Sequence, residues 1–258
     1  MSARRRPAAV AVLAFSLAAG TLTPDAFADE PAPGTAPPGR VGIWVHGGFV
    51  PGSRDFTATR TFTEFAEQGR IESQYQESAG PGFELGAGLR LGRRLGVTAA
   101  GSMARRDAAG SFAATLPHPL YFGAFRQATG GFGGGSMRET AVHLDLALRG
   151  GAGRLQWSAF AGPSLIALRA DLVQRVDYTQ AYPFDTVTVT GTPFASVRNH
   201  AFGFNAGAGL DWPVARHVAI GAQARFSRAT VTVEPTADDR VEIGAGGLSL
   251  TGGLRLDF

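Results

Sequence analysis

Three residues of this sequence have the types and spacing that acid–base chemistry requires. His143 and Asp145 lie two positions apart, and Ser158 follows in the next apolar segment, so a base, an acid and a nucleophile could meet on neighbouring strands. The alternative is that these polar residues fill the interior of the fold. We favour filling, because a filled interior gives a substrate no route to them. We therefore expect no catalytic residues.

Composition excludes several other kinds of site. The chain has no cysteine, which excludes disulfides and thiolate metal sites, and its five histidines are scattered without metal-ligand spacing. All 24 basic residues are arginine, so no phosphate-loop lysine or Schiff-base lysine exists. We expect no metal and no cofactor.

The net charge gives no indication of nucleic-acid binding. Residues 1–28 carry three arginines and one aspartate, which leaves the rest of the chain with a net charge of +1.

The N-terminal residues have the order of a secretory signal peptide. Arg4, Arg5 and Arg6 precede an apolar run over 8–19, and the small residues Ala26 and Ala28 follow on either side of Phe27. The run is shorter than the roughly 20 residues that span a bilayer as a helix, so an uncleaved anchor is the less favoured alternative. We expect a signal peptide over 1–28, a flexible periplasmic segment over 29–39, and a single domain over 40–258.

Beyond residue 40, apolar residues alternate with polar or small ones in segments of about ten residues. This period is typical of membrane strands that have one face to lipid and the other to a lumen. The clearest segment has Leu144 and Leu146 on one face and His143 and Asp145 on the other. Gly162 and Pro163 predict a bulge within the fifth segment. The eight segments are 41–50, 83–91, 95–103, 140–148, 155–172, 202–212, 218–227 and 248–258.

The connections between these segments alternate in length. Those at 92–95, 149–154 and 213–217 are short, whereas those at 51–82, 104–139, 170–201 and 228–247 are long. Short periplasmic turns and long extracellular loops are typical of outer-membrane barrels. We therefore predict an all-β fold, an eight-stranded antiparallel up-and-down transmembrane β-barrel. Alternation within the long connections, at 56–65, 71–75, 185–190 and 230–233, predicts that strands continue as hairpins beyond the membrane.

Eight strands leave a lumen that side chains fill. The inward positions carry similar numbers of both charges, and buried charges need partners because an unpaired one costs several kcal/mol. We therefore expect a polar network that plugs the lumen. Its members are Glu84, Arg90, His143, Asp145, Asn205, Asp211, Arg225, Arg255 and Asp257.

One long connection is unusually aromatic. It could contact an extracellular partner or the lipopolysaccharide boundary, or it could pack against the other long loops. The candidate contact residues are Phe112, Tyr121, Phe122, Phe125 and Phe132.

The last strand segment ends in a distinctive pattern. Thr251, Gly253, Leu256 and Phe258 place a polar residue, a glycine and two outward apolar residues at alternating positions. This pattern resembles the C-terminal signal that the barrel assembly machinery recognises. The resemblance implies that this machinery is a partner.

Taken as a whole, residues 40–258 resemble the small outer-membrane proteins of the OmpA transmembrane domain and OmpX family. That resemblance implies localisation in the cell outer membrane, contact with outer-membrane lipid and lipopolysaccharide, and a structural or surface-interaction role such as adhesion or ligand display to an extracellular partner. Three alternatives remain open at this stage: an outer-membrane enzyme acting on lipid or peptide, a narrow pore, and a soluble lipocalin-like barrel with reversed polarity.

Overall fold

A computed structural model describes residues 40–152, 154–234 and 240–258. The expected signal peptide, 1–28, and the expected flexible segment, 29–39, lie outside the described residues. In the described part of the chain, no helix is long and apolar enough to cross a membrane. The strands are β1 (Val41–Val50), β2 (Arg54–Glu64), β3 (Glu67–Glu77), β4 (Gly80–Arg90), β5 (Leu95–Pro117), β6 (Phe125–Ala152), β7 (Leu155–Val173), β8 (Asp177–Gln180), β9 (Val187–Gly191), β10 (Phe194–Ala215), β11 (Val218–Val233) and β12 (Val241–Asp257).

Within the described residues, eight strands form a closed antiparallel ring, in the order β1, β4, β5, β6, β7, β10, β11 and β12. The ring closes between β1 and β12, where Gly42 lies opposite Asp257. Beyond that pair, Val41 and Phe258 exchange backbone hydrogen bonds of 3.1 and 2.8 Å. The predicted eight-stranded up-and-down barrel is confirmed.

The half of the ring with the short turns has an apolar outer surface, which we call the belt. Large side chains such as Val45, Leu85 and Leu144 point outward and are about half exposed. A continuous apolar surface of this size is stable only against lipid, because soluble proteins keep such patches small. Aromatic residues mark both edges of the belt, namely Trp157, Trp212 and Phe258 at the turn end and Phe49, Phe83, Phe202, Phe204 and Phe226 at the other.

Beyond the belt, the strands β5, β6, β7, β10, β11 and β12 continue, and the β2–β3 hairpin joins them by pairing β3 with β5. We call this part the extension; it comprises residues 51–79, 104–139, 167–201 and the described parts of 229–247. Its polarity is reversed, because its interior is an apolar core. Core residues include Ile71, Tyr75, Phe112, Leu116, Phe132, Met137, Leu168, Leu172, Val231, Val233, Val241 and Ile243. The expectation that strands continue beyond the membrane is confirmed.

The lipocalin-like alternative needs apolar residues inside along the whole barrel. In the belt half the apolar side chains point outward, and polar residues such as Glu84, Asp145 and Arg225 are buried inside. This polarity is that of a membrane barrel and contradicts the lipocalin-like alternative.

The predicted bulge at Gly162 and Pro163 is wrong. The β6–β7 register is the same on both sides of these residues, with His143 opposite Ser164 and Leu146 opposite Ala161. Two ladder pairs are absent between them, where Pro163 has no N–H to donate. A register shift occurs instead between Ala108 and Gly110 of β5.

Candidate functional site

The lumen of the belt half contains a buried polar cluster centred on Arg225 of β11. Its Nε donates to Glu84 Oε2 at 3.0 Å, and its Nη1 donates to Asp145 Oδ2 at 2.9 Å and to Asn205 Oδ1. Asn205 Nδ2 in turn donates to Asp145 Oδ1 at 2.7 Å. These four expected lumen residues therefore meet across the barrel and pair their charges, as a low-dielectric interior requires.

Two further side chains complete this cluster. Trp44 Nε1 and Gln223 Nε2 donate to Glu84 Oε1 at 3.0 and 2.9 Å. Both lie on the inward face that sequence alternation assigns to them. The expected network omits them because it consists mainly of charged residues, and an indole and an amide are neutral. Together they leave the Glu84 carboxylate fully hydrogen-bonded.

The other expected charged residues lie nearer the turn end of the lumen. Arg255 approaches Asp211 at 3.5 Å and Asp257 at 3.0 Å. Arg90 is the last residue of β4, at the same end of the barrel. The expected network is thus two clusters at different depths.

The hypothetical set of His143, Asp145 and Ser158 is not assembled. His143 contacts Ser102 Oγ at 2.9 Å and Ser164 Oγ at 2.8 Å, whereas Asp145 is engaged with Arg225 and Asn205. Ser158 pairs with Arg149 and Gly209, nearer the turn end. In the described part of the chain, no cluster of His, Asp and Glu side chains is arranged to hold a metal ion.

Two small cavities lie on either side of Arg225. The cavity toward the turn end has a volume of about 30 Å³ and touches Trp44 and Asp211. The other has a volume of about 40 Å³ and touches His143 and Ile166. Each is large enough for only a few water molecules. Arg225 and its partners therefore interrupt the lumen between the two cavities.

The far end of the extension is built from three connections, which together we call the tip: the β2–β3 turn (64–67), the β5–β6 loop (118–125) and the β8–β9 loop (181–186). Buried polar residues join them. Glu67 Oε1 accepts a hydrogen bond from Gly123 N at 2.6 Å, and His118 Nδ1 accepts one from Leu120 N at 3.1 Å. Hydrogen bonds to the buried side chains of Glu67 and His118 therefore fix the conformation of the β5–β6 loop.

Arg126 links the β5–β6 loop to the β8–β9 loop. Its Nη2 donates to Pro117 O at 2.7 Å, and its Nη1 donates to Phe184 O at 3.2 Å and to Gln180 Oε1. Beside it, Tyr178 donates to Glu64 Oε1 at 2.9 Å. Burial and then this hydrogen bond raise the pKa of Tyr178, so its hydroxyl remains a donor at neutral pH.

The outer surface of the tip is aromatic. Phe122 is 87% exposed, Tyr182 82% and Tyr121 63%, and Leu120, Phe125 and Phe65 are about half exposed. Because such side chains gain roughly 1.5–3 kcal/mol each on full burial, the tip is a surface that a partner would stabilise.

Two of the expected contact residues, Phe112 and Phe132, are not on this surface. Both are buried in the core of the extension, and the Phe132 ring lies 4.9 Å from the ring of Tyr75. The interpretation that they contact a partner is wrong, because the segment that contains them forms inward-facing strand positions. The other three, Tyr121, Phe122 and Phe125, are exposed.

The backbone of the tip is strained at the β2–β3 turn. Glu64 pairs with Glu67, so Phe65 and Ala66 form a two-residue connection with φ of 51° and 62°. Turns of this kind favour Asn-Gly, and residues with a Cβ in the left-handed region cost on the order of 1 kcal/mol or more each. Phe65, the first residue of this turn, is about half exposed at the tip.

Comparisons with known proteins reveal the fold but no close relative. No protein-family model and no curated protein sequence matches the chain. The crystal structure of the outer membrane protein OprG from Pseudomonas aeruginosa matches with a TM-score of 0.52 and 10% identity, over 86% of this chain and 97% of that one. The chain has the fold of a small outer-membrane β-barrel. Weaker matches are Neisserial surface protein A (TM-score 0.44, 12% identity, 86% of this chain, 100% of that one) and the attachment invasion locus protein Ail of Yersinia pestis (0.37, 12%, 84% and 99%).

This fold and the belt agree with the outer-membrane localisation expected from the sequence. Barrels of this kind have their short turns in the periplasm and their long loops outside the cell. The extension and the tip are therefore extracellular.

The expected assembly signal lies at the end of the chain, with Thr251, Gly253 and Leu256 in β12 and Phe258 directly after it. Leu256 and Phe258 point outward in the belt, whereas Thr251 and Gly253 are half-buried. A Cβ on Gly253 would lie 2.0 Å from Val45 O. The close approach of β1 therefore requires a glycine at this position. Recognition by the assembly machinery stays a prediction.

Proposed function

We propose that this outer-membrane barrel is a surface-interaction protein that presents the tip to an extracellular partner, with no catalytic activity and no open pore. The observation that carries the proposal is the combination of exposed aromatic side chains with a buried polar framework beneath them. Tyr121, Phe122 and Tyr182 are exposed, while Glu67, His118 and Arg126 fix the loops that carry them.

Preorganisation supports a binding role. Loops that are ordered before they meet a partner lose less conformational entropy on binding. Tyrosine and other aromatic side chains are also the residues that most often dominate binding energy at interfaces. The apolar core of the extension supplies the rigid support, and its strands set the tip well above the belt.

The lumen offers no support for the enzyme or pore alternatives. The polar groups are engaged with each other at Arg225, and the cavities beside them hold only a few water molecules. The charged lumen residues are therefore proposed as structural filling.

Adhesion of intact cells tests the proposal. A Gram-negative laboratory strain that expresses the protein is compared with the empty-vector strain for sedimentation of cell aggregates and for attachment to immobilised matrix proteins and cultured cells. The tip variant Tyr121→Ser/Phe122→Ser/Tyr182→Ser should lose most of the attachment gained by expression. The control Gln74→Ser/Gln76→Ser, at exposed positions of β3, should retain it.

Surface amounts of both variants are matched by the gel shift of the folded barrel. Attachment by the tip variant equal to that of the wild type would contradict the assignment of the tip. Equal attachment by wild-type and empty-vector cells would contradict the surface-interaction role itself.

A further inference from the structure

Four arginines form a continuous line across neighbouring strands of the extension. Arg105 of β5 lies directly opposite Arg138 of β6, Arg138 lies opposite Arg169 of β7, and Arg169 lies opposite Arg198 of β10. All four side chains are exposed and lie on the outer face. We call this line the arginine row.

Such an arrangement is unfavourable by itself. Residues directly opposite each other on antiparallel strands have Cβ atoms about 4.5–5.5 Å apart, and like charges at these positions destabilise the pair. Among the described residues, none of the four arginines has a carboxylate oxygen within the 4 Å of an ion pair. One of them has a neutral partner, since Arg169 Nε donates to Ser196 Oγ at 2.7 Å.

Nearby carboxylates balance only part of this charge. The next outward-facing positions of β5 and β7 carry Asp107 and Asp171. Asp171 is occupied by Ser136, whose N and Oγ lie 3.2 and 2.7 Å from its Oδ2. Although burial opposes it, these hydrogen bonds and the charge of Arg169 lower the pKa of Asp171, so it stays ionised. Two carboxylates thus face four guanidinium groups.

The remaining neighbours do not supply the missing negative charge. His200 lies two positions toward the belt on β10, and an imidazole supplies no negative charge. Glu139, next to Arg138, points inward, where its carboxylate engages Arg54 and the backbone N–H of Gly246. The arginine row therefore keeps an excess of positive charge that the described residues do not neutralise.

The position of the row relates it to the membrane. Arg105 lies two residues above Met103, and Arg138, Arg169 and Arg198 lie four residues above Val142, Leu165 and Phe202, which are outward residues of the belt. Four residues of a tilted strand rise by about 10 Å. The polar layer of a bilayer begins at the edge of the hydrocarbon and is at least about 5 Å thick. Long arginine side chains can span the difference.

We propose that the arginine row binds the phosphate groups of phosphorylated glycolipids in the outer leaflet of the protein's own membrane. The planar guanidinium forms bidentate hydrogen bonds with phosphate, and adjacent guanidinium groups can share one phosphate dianion. The phosphate supplies the negative charge that the protein lacks, and the acyl chains of the same lipid contact the belt directly below. This binding surface is separate from the tip and does not depend on its function.

Titration of the purified, folded barrel in uncharged detergent tests the proposal. The probes are diphosphoryl lipid A, lipid A from which the phosphates have been removed, and heparin as a soluble polyanion. The variant Arg105→Gln/Arg138→Gln/Arg169→Gln/Arg198→Gln should bind diphosphoryl lipid A about tenfold more weakly or worse than the wild type. The wild type should bind the phosphate-free lipid about as weakly as this variant does.

A charge-matched control separates the row from general charge effects. Arg70 and Arg175 are exposed but have carboxylates of their own, at 3.8 Å (Glu72) and 2.7 Å (Asp177). The control Arg70→Gln/Arg175→Gln should bind diphosphoryl lipid A with wild-type affinity. The variant Arg138→Gln/Arg169→Gln, which removes the same number of charges from the arginine row, should bind it more weakly. The affinity of the wild type should also fall as salt is raised.

A second measurement distinguishes binding from a structural role. In uncharged detergent, the row variants should unfold at the same temperature as the wild type or a higher one, because repulsion is relieved. With diphosphoryl lipid A present, the wild type should become the more stable protein. Equal lipid A binding by wild type and quadruple variant, equal affinity of the wild type for both lipids, or arginine-dependent binding of heparin alone would overturn the proposal. So would a lower unfolding temperature of the row variants in detergent.

Discussion

Arg54 of β2 donates hydrogen bonds of 2.8 and 2.9 Å to the carbonyl oxygens of Gly244 and Gly246 of β12. These two strands are neighbours in the extension, but no backbone ladder joins them. Arg54 also forms ion pairs with Glu77 at 2.6 Å and with Glu139 at 2.5 Å. A single side chain thus closes an unpaired seam and neutralises two largely buried carboxylates.

Replacing Arg54 should open this seam. The change Arg54→Gln removes the ion pair of Glu139 and leaves Glu77 paired with Arg106, at 3.2 Å. Breaking a buried ion pair costs about 3–5 kcal/mol, so the extension should become sensitive to protease while the belt half stays folded. Limited proteolysis of the protein in vesicles measures this. The control Arg60→Gln on the same strand should be as resistant as the wild type, and equal resistance of Arg54→Gln would contradict the role of Arg54.

The Arg225 cluster should determine the stability of the belt half. In Arg225→Met, the carboxylates of Glu84 and Asp145 remain buried without their cation, and unfolding should become easier by about 3–5 kcal/mol. Urea unfolding in lipid vesicles, followed by the gel shift of the folded barrel, gives this value. Arg228→Met, at an exposed position of the same strand, should change it little. A stability of Arg225→Met equal to that of the wild type would show that the cluster is dispensable.

The barrel should not conduct ions. Arg225 and its partners separate the two lumen cavities, and the apolar core of the extension lies beyond them. Planar-bilayer recordings of the purified protein should show no steady conductance above that of the protein-free membrane. Reproducible steps that scale with voltage in the wild type would reinstate the narrow-pore interpretation.

Phe258 should be needed for efficient assembly. Its backbone exchanges hydrogen bonds with Val41 just beyond the β1–β12 ladder that closes the ring, and its side chain points outward at the turn end of the belt. Phe258→Ser should reduce the amount of heat-modifiable barrel in the outer-membrane fraction severalfold. Phe202→Ser removes an outward aromatic residue at the other edge of the belt and should assemble normally. Equal assembly of both variants would count against a signal at Phe258.

Sequence alternation predicts the ring and the facing of side chains within the belt. His143 and Leu144, for example, face inward and outward as the alternation of their segment indicates. It also predicts that strands continue into the extension, but it does not predict that the same period has the opposite polarity there. The sequence therefore predicts a surface position for Phe112 and Phe132, because a period of two does not distinguish lipid from an apolar core.

Contacts between distant segments could not be predicted from the sequence, for a different reason. Gly123 and Glu67 are 56 residues apart, and no local pattern relates them. The arginine row likewise depends on the pairing offsets of β5, β6, β7 and β10, which fix which residues lie opposite each other. Alternation gives the face of a residue but not its neighbour on the next strand.

Labelling of single cysteines on intact cells tests the central claim, that the barrel spans the outer membrane and presents the tip outside. The chain has no cysteine of its own, so each introduced thiol reports one position. A membrane-impermeant maleimide should label Phe122→Cys on intact cells, Arg93→Cys in the β4–β5 turn only after lysis, and Leu144→Cys in the belt only after unfolding. Labelling of Arg93→Cys but not Phe122→Cys on intact cells, or free labelling of Leu144→Cys in the folded protein, would contradict the account.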